Sequence, residues 1–227
     1  LSGFIETLRG HARDDPEARE RFLGVMAGQA ERMSRLIHDL MSLSRIELNE
    51  HIPPCGGLDL TACVRDVADS LTPIAAAKEI RIEIAGEPTP MTGDRDQILQ
   101  VAQNLIENAL KYSPTGGVVR VEVDSGQPAV TQRGGDTGYR HLLEPSSNRS
   151  ARYATLRVSD AGPGMTRDVL PRLTERFYRA PGQKSGATSG TGLGLAIVKH
   201  IVNRHGGGLF VESAPGAGTS FAAYFPQ

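Results

Sequence analysis

The sequence predicts an α+β protein: an N-terminal helical hairpin followed by a two-layer α/β sandwich. Three observations carry this. Before His51 the apolar residues recur at helical spacing, with only four glycines and one proline. Beyond Ile52-Pro-Pro-Cys-Gly-Gly57 the period switches back and forth between two and 3.6 residues. Several of the later strands are joined by short turns, which pairs them antiparallel and argues against a doubly wound parallel sheet.

In the first region Leu23, Met26, Ala30, Met33, Ile37 and Leu40 are spaced 3, 4, 3, 4 and 3 apart, the seam of a coiled coil or bundle. Val25, Leu36 and Leu43 widen the stripe, as suits a helix with neighbours on more than one side. Asp15 reads as its N-cap and Pro16 as its first residue. Leu1 to Arg9 reads as the end of a preceding helix. So small a hairpin cannot bury its own stripe, so a homodimer closing a four-helix bundle is expected; the alternative is a monomeric hairpin packed on the rest of the chain. Residues 52–58 read as a linker and 59–227 as the second domain.

In that domain helices are expected at Thr61 to Ala77, Arg95 to Tyr112 (opened by Asp94, with Gln97 three residues on), near Arg167, and at Gly192 to Arg204. Strands are expected at Ile80 to Ile84, Val118 to Asp124 and Tyr153 to Ser159, with Leu209 to Ser213 and Thr219 to Phe225 as a closing hairpin. Ser125 to Arg152, rich in Gly, Ser, Arg and Pro, interrupts two strands that would otherwise meet at a short turn, and reads as a mobile insertion.

Composition narrows the function. Among 227 residues, 25 Lys and Arg balance 26 Asp and Glu for a net charge of −1, without the basic field that nucleic-acid binding needs. No apolar run is long enough to span a bilayer. Two cysteines, Cys55 and Cys63, make neither a disulfide framework nor a zinc site, and fit a reducing cytosol.

Four constellations carry chemistry. Asn104, Asn108 and Lys111 share a helix face, next to Tyr112, and offer carboxamide oxygens to a hard cation and an ammonium to phosphate; a solvated polar face explains them equally well. Asp160-Ala-Gly162-Pro-Gly164 follows a strand, where a carboxylate can accept from an exocyclic amine and glycines admit a flat ligand; an ordinary tight turn is the simpler reading. Gly190-Thr191-Gly192-Leu193-Gly194-Leu195 runs into a helix, as an anion cradle does, without the Lys of a phosphate-binding loop. Glu175-Arg176-Phe177-Tyr178-Arg179 sets an aromatic pair between arginines at the head of a Gly/Ser-rich loop; anchored aromatics with a flexible, cationic successor suit a lid, and a plain helix end fits equally well.

In this order the four resemble the N, G1, F and G2 boxes of the ATP-binding domain of sensor histidine kinases, whose fold is of the Bergerat type. Arg35-Leu-Ile-His-Asp-Leu-Met-Ser-Leu-Ser-Arg-Ile-Glu47 resembles the second dimerisation and phosphotransfer helix of the same family. The resemblance implies ATP and Mg²⁺ as cofactors, with Asn108 as metal ligand supported by Asn104. It gives Lys111 and Tyr112 the phosphate and ribose region, and Asp160 the adenine amine. Phe177, Tyr178 and Arg179 fall to the lid, with Arg179 near the γ-phosphate. The cradle falls to Gly190, Thr191, Gly192, Leu193, Gly194 and Leu195. Asn104, Lys111 and Arg179 would be catalytic.

Related ATPases of this fold hold a water-activating glutamate where Asn104 stands, so slow hydrolysis and transfer to another acceptor are expected. The family's acceptor histidine lies in a His-acidic-Leu-Arg-Thr-Pro motif that would fall just upstream of Leu1. None of His11, His38, His51, His141, His200 or His205 replaces it. The resemblance further implies a response-regulator receiver domain as partner, and a membrane anchor upstream that leaves this part on the cytoplasmic face. The competing readings are an ATP-hydrolysing clamp of the gyrase and chaperone type, and a non-enzymatic dimeric adaptor.

Overall fold

The computed structural model describes residues 15–49, 51–126, 139–145, 152–180 and 190–227. The expected first hairpin helix therefore lies outside the described residues. Helix α1 (Pro16–Leu48) opens where expected: the Asp15 carboxylate accepts from the Ala18 N–H at 2.9 Å and Pro16 takes the first turn. Its two apolar sets separate. Leu43 and Ile46 are buried against the second domain and Leu36 packs beside them. Leu23, Met33, Ile37 and Leu40 are 45–58% exposed.

The second domain begins slightly earlier than its sequence suggests, because Gly57, inside the expected linker, already belongs to strand β1 (Gly57–Asp59). β1 pairs antiparallel with β3 (Pro90–Thr92). Asp59 then caps α2 (Leu60–Ala77): Oδ1 accepts from the N–H groups of Thr61 and Thr89, both at 2.9 Å. Helix α3 (Arg95–Tyr112) spans the expected residues, with Asp94 Oδ1 accepting from Asp96 and Gln97 at 3.1 and 3.3 Å. Strand β2 (Arg81–Ala85) runs parallel to β4 (Val118–Gly126), with α3 in the crossover between them.

The six-stranded sheet has the order β2-β4-β6-β8-β7-β5, where β5 is Tyr139–Leu143, β6 Tyr153–Asp160, β7 Gly208–Ser213 and β8 Thr219–Pro226. Every pair but β2-β4 is antiparallel. Val119, Val121, Val123, Leu156, Val158, Phe221, Ala223 and Phe225 form the inner face. They meet Ile98, Val101 and Leu105 of α3, and Ile197, Val198 and Ile201 of α4 (Gly194–Arg204).

Three expectations are corrected here. The stretch 125–152 is not wholly an excursion: β4 runs on to Gly126, and Tyr139–Leu143 forms edge strand β5 against β7. The helix expected near Arg167 is a 3₁₀ turn at Leu170–Arg172, where Pro171 supplies no backbone donor. Helix α4 starts at Gly194 rather than Gly192, because Gly192 takes φ +76° and its carbonyl accepts from the Phe177 N–H at 2.9 Å.

Candidate nucleotide site

Helix α3 buries Val101, Leu105 and Ala109 and leaves Asn104, Asn108 and Lys111 half-buried on one adjoining face. The Asn104 Nδ2 donates to the Gln100 carbonyl one turn back, at 2.9 Å. Its Oδ1 is thereby turned toward the start of α4, where a β-carbon added to Gly194 would lie 2.6 Å away. Lys111 lies against the same loop: its Nζ is 3.2 Å from the position of a β-carbon on Gly190. The ammonium also sits over the Tyr112 ring, 4.9 Å from the centroid. Lys78 caps this same C-terminal end of the helix, donating to the carbonyls of Leu110 and Lys111 at 2.8 and 3.2 Å.

Asp160 ends β6 and turns back on its own loop: Oδ1 accepts from the Gly162 N–H at 2.8 Å. Burial pushes the carboxyl above its ordinary value of 3.8, against the pull of the Gly162 and Thr219 N–H groups. Gly162 touches the end of α3, since a β-carbon there would lie 2.6 Å from the Tyr112 carbonyl oxygen. Gly164 does something other than admit a ligand. At φ +67° it abuts the β7–β8 turn, and a β-carbon would fall 1.9 Å from the Ala214 carbonyl oxygen.

At the start of α4 no side chain caps the first N–H groups from the N-cap position, held by Leu193. The Leu193 N–H itself donates to Thr191 Oγ1 at 3.2 Å. Leu193 is wholly buried and Leu195 packs on the core, so only their backbone can serve the cradle. Tyr178 is packed, with the Arg172 guanidinium 4.3 Å over its ring. Phe177 is not an anchor. It is 60% exposed and held at φ +62° by its bond to Gly192. Arg179, half-buried, is the next described residue but one before a stretch, 181–189, that lies outside the described residues.

The site thus joins α3, the β6 turn and the glycine turn before α4. It offers carboxamide oxygen, an ammonium and helix-end N–H groups on one side and the half-buried Asp160 carboxylate on the other. Among the described residues no group of three His, Cys, Asp or Glu could hold a metal ion. A metal here would need carboxamide oxygen completed by ligand phosphates, which is what the outward Oδ1 of Asn104 and the neighbouring Asn108 can supply.

Comparison with known proteins shows the family to which the fold belongs. The model of the "Histidine kinase-, DNA gyrase B-, and HSP90-like ATPase" family matches residues 93–227, more than half of the chain. The chain belongs to this ATPase family. The "His Kinase A (phospho-acceptor) domain" model matches residues 1–49, ahead of it. The phosphate regulon sensor protein PhoR of Pseudomonas aeruginosa is 30% identical over 99% of this chain and 46% of its own length. The sensor-like histidine kinase SenX3 of Mycolicibacterium smegmatis is 31% identical over 100% of this chain and 53% of its own. The chain therefore spans about half the length of the curated relatives it matches. Among solved structures, the mycobacterial sensor histidine kinase MprB is similar over 76% of this chain and 97% of that one, at 27% identity and a TM-score of 0.56. The Acinetobacter baumannii histidine kinase AdeS shares the fold over 99% of this chain and 92% of that one, at 23% identity and a TM-score of 0.68.

Sequence reasoning missed what joins α1 to this site. Thr191 Oγ1 donates to Asp39 Oδ2 at 2.7 Å, and Ser42 Oγ donates to Gln100 Oε1 at 2.9 Å. Arg176 and His200 both face Glu47, and Arg204 donates to the carbonyls of Asn49 and Ile52 at 3.1 Å. These pairs lie more than 50 residues apart, and no local pattern announces them.

Proposed function

We propose that the chain is the ATP-binding core of a sensor histidine kinase. In this reading it grips Mg²⁺-ATP and presents the γ-phosphoryl group to a histidine ring nitrogen, which passes it to a receiver-domain aspartate. Asn108, with Asn104 behind it, would hold the Mg²⁺ ion, which when bound neutralises the phosphate charge that develops during transfer. Lys111 and the α4 N–H groups bind phosphate oxygens, and Asp160 accepts from the adenine amine. Phe177, Tyr178 and Arg179 stand at the root of a lid, with Arg179 for the γ-phosphate.

The observation that carries this reading is the Asn104 carboxamide facing the α4 cradle. A hydrolase would need a carboxylate there to activate water. Glu107, the nearest on α3, is exposed and is bonded by Gln103 Nε2 at 2.8 Å, around the helix from Asn108. The exposed stripe of Leu23, Met33, Ile37 and Leu40 supports a homodimer through α1. The likeness of residues 1–49 to a phospho-acceptor domain supports a histidine as acceptor, in the motif expected just upstream of Leu1. The histidine kinase ThkA, which shares the fold at a TM-score of 0.69, was solved in complex with the response regulator protein TrrA, and a receiver domain is the partner proposed here. No helix among the described residues is long and apolar enough to cross a membrane.

The test supplies γ-labelled ATP to the protein extended through the acceptor helix. The label should enter a bond that is stable in base and lost in acid, as a phosphohistidine is. Free phosphate released steadily without protein labelling would favour the hydrolytic clamp instead.

A further inference from the structure

Helix α1 brings a carboxylate to a place where an anion is to bind. Asp39 lies against the glycine cradle, its Oδ2 accepting from Thr191 Oγ1 at 2.7 Å. That same Oγ1 accepts the Leu193 N–H at 3.2 Å, so one hydroxyl links the carboxylate to the cradle. The Asp39 side chain is 22% exposed, and the Nδ1 of the 78% exposed His38 lies 3.9 Å from its Oδ1. Across the loop, Lys111 stands beside Gly190 and Asn104 beside Gly194. One turn on from Asp39, Ser42 bonds Gln100, whose carbonyl orients Asn104.

We propose that Asp39 is a positioning residue that makes docking of α1 and binding of a triphosphate compete. Through Thr191 it draws on the Leu193 N–H and the positive potential that phosphates would use, and it adds a like charge beside them. Linkage makes the effect mutual: a triphosphate at the cradle loosens α1, and a loosened α1 tightens the triphosphate. The proposal rests on the nucleotide-site reading above. It adds a device by which the helix that carries the dimer stripe senses whether the cradle is filled.

The variant Asp39→Asn keeps an acceptor for Thr191 and removes the charge. Calorimetry on this chain at low salt should show Mg²⁺-ATP binding tightened by about tenfold, with adenosine unchanged and the gain shrinking as salt rises. In the unaltered chain, amide hydrogen exchange at residues 39–48 should quicken with Mg²⁺-ATP and stay unchanged with adenosine. Equal tightening of ATP and adenosine would overturn the proposal, because charge would not be the cause. Unchanged or weaker ATP binding in Asp39→Asn would overturn it while leaving the nucleotide site standing. Failure of the unaltered chain to bind Mg²⁺-ATP would remove the nucleotide-site reading, and this proposal with it.

Discussion

Gly194 and Asn104 are in contact as glycine and carboxamide can be and larger residues cannot: a β-carbon on Gly194 would sit 2.6 Å from Asn104 Oδ1. Inside a helix, alanine normally outperforms glycine by about 1 kcal/mol. Here Gly194→Ala should reverse that sign, lowering the thermal midpoint and weakening Mg²⁺-ATP by tenfold or more. Calorimetry and a melting curve read both effects. A variant that is more stable and binds normally would show that the contact has no functional meaning.

Asn108 lies half-buried on the face of α3 away from its core contacts. Asn108→Ala should therefore leave the melting midpoint within a degree or two. Mg²⁺-dependent nucleotide binding should fall by more than tenfold, with metal-free binding little altered. Isothermal titration with and without Mg²⁺ separates the two.

Burial raises the Asp160 carboxyl above 3.8, so the fold disfavours its ionised form. Its contribution to stability is thus greatest below 3.8 and is lost as pH rises through the raised value. Asp160→Asn escapes that loss and should match or exceed the parent protein's stability near neutral pH, with the difference closing in acid. Nucleotide affinity should move the other way, because in the proposed site the carboxylate accepts the adenine amine. Paired melting and titration series across pH would check this, and a variant weakened in stability at neutral pH would refute it.

Ile37 and Leu40 are 58% and 55% exposed on α1, beside rather than within its contacts with the second domain. Replacing both with Glu should convert a dimer to a monomer in sedimentation velocity. The second domain should melt as before, since neither side chain belongs to its core.

Much of this architecture is legible in the chain because its signals are local. Asp94 and Gln97 mark the start of α3, and the Val118 to Asp124 alternation matches a strand with one buried face. What escaped reading depends on distant partners. Tyr139–Leu143 is a strand only because β7, some 70 residues later, offers an edge. Gly164 looked like room for a ligand, yet the Ala214 carbonyl takes that space. Phe177 read as an anchored aromatic, although its backbone rather than its ring holds the loop, through Gly192. The polar side of α1 was silent for the same reason, as Asp39 and Ser42 find their partners across the fold.

The most direct test of the whole account is a Mg²⁺-ATP titration followed residue by residue through backbone amide resonances. The account predicts that the amides of Asn104, Asn108, Gly162, Gly190, Gly192 and Gly194 shift together with one dissociation constant. Shifts confined to the opposite sheet face around Glu122, Arg157 and Tyr224, or no saturable shift at millimolar nucleotide, would contradict it.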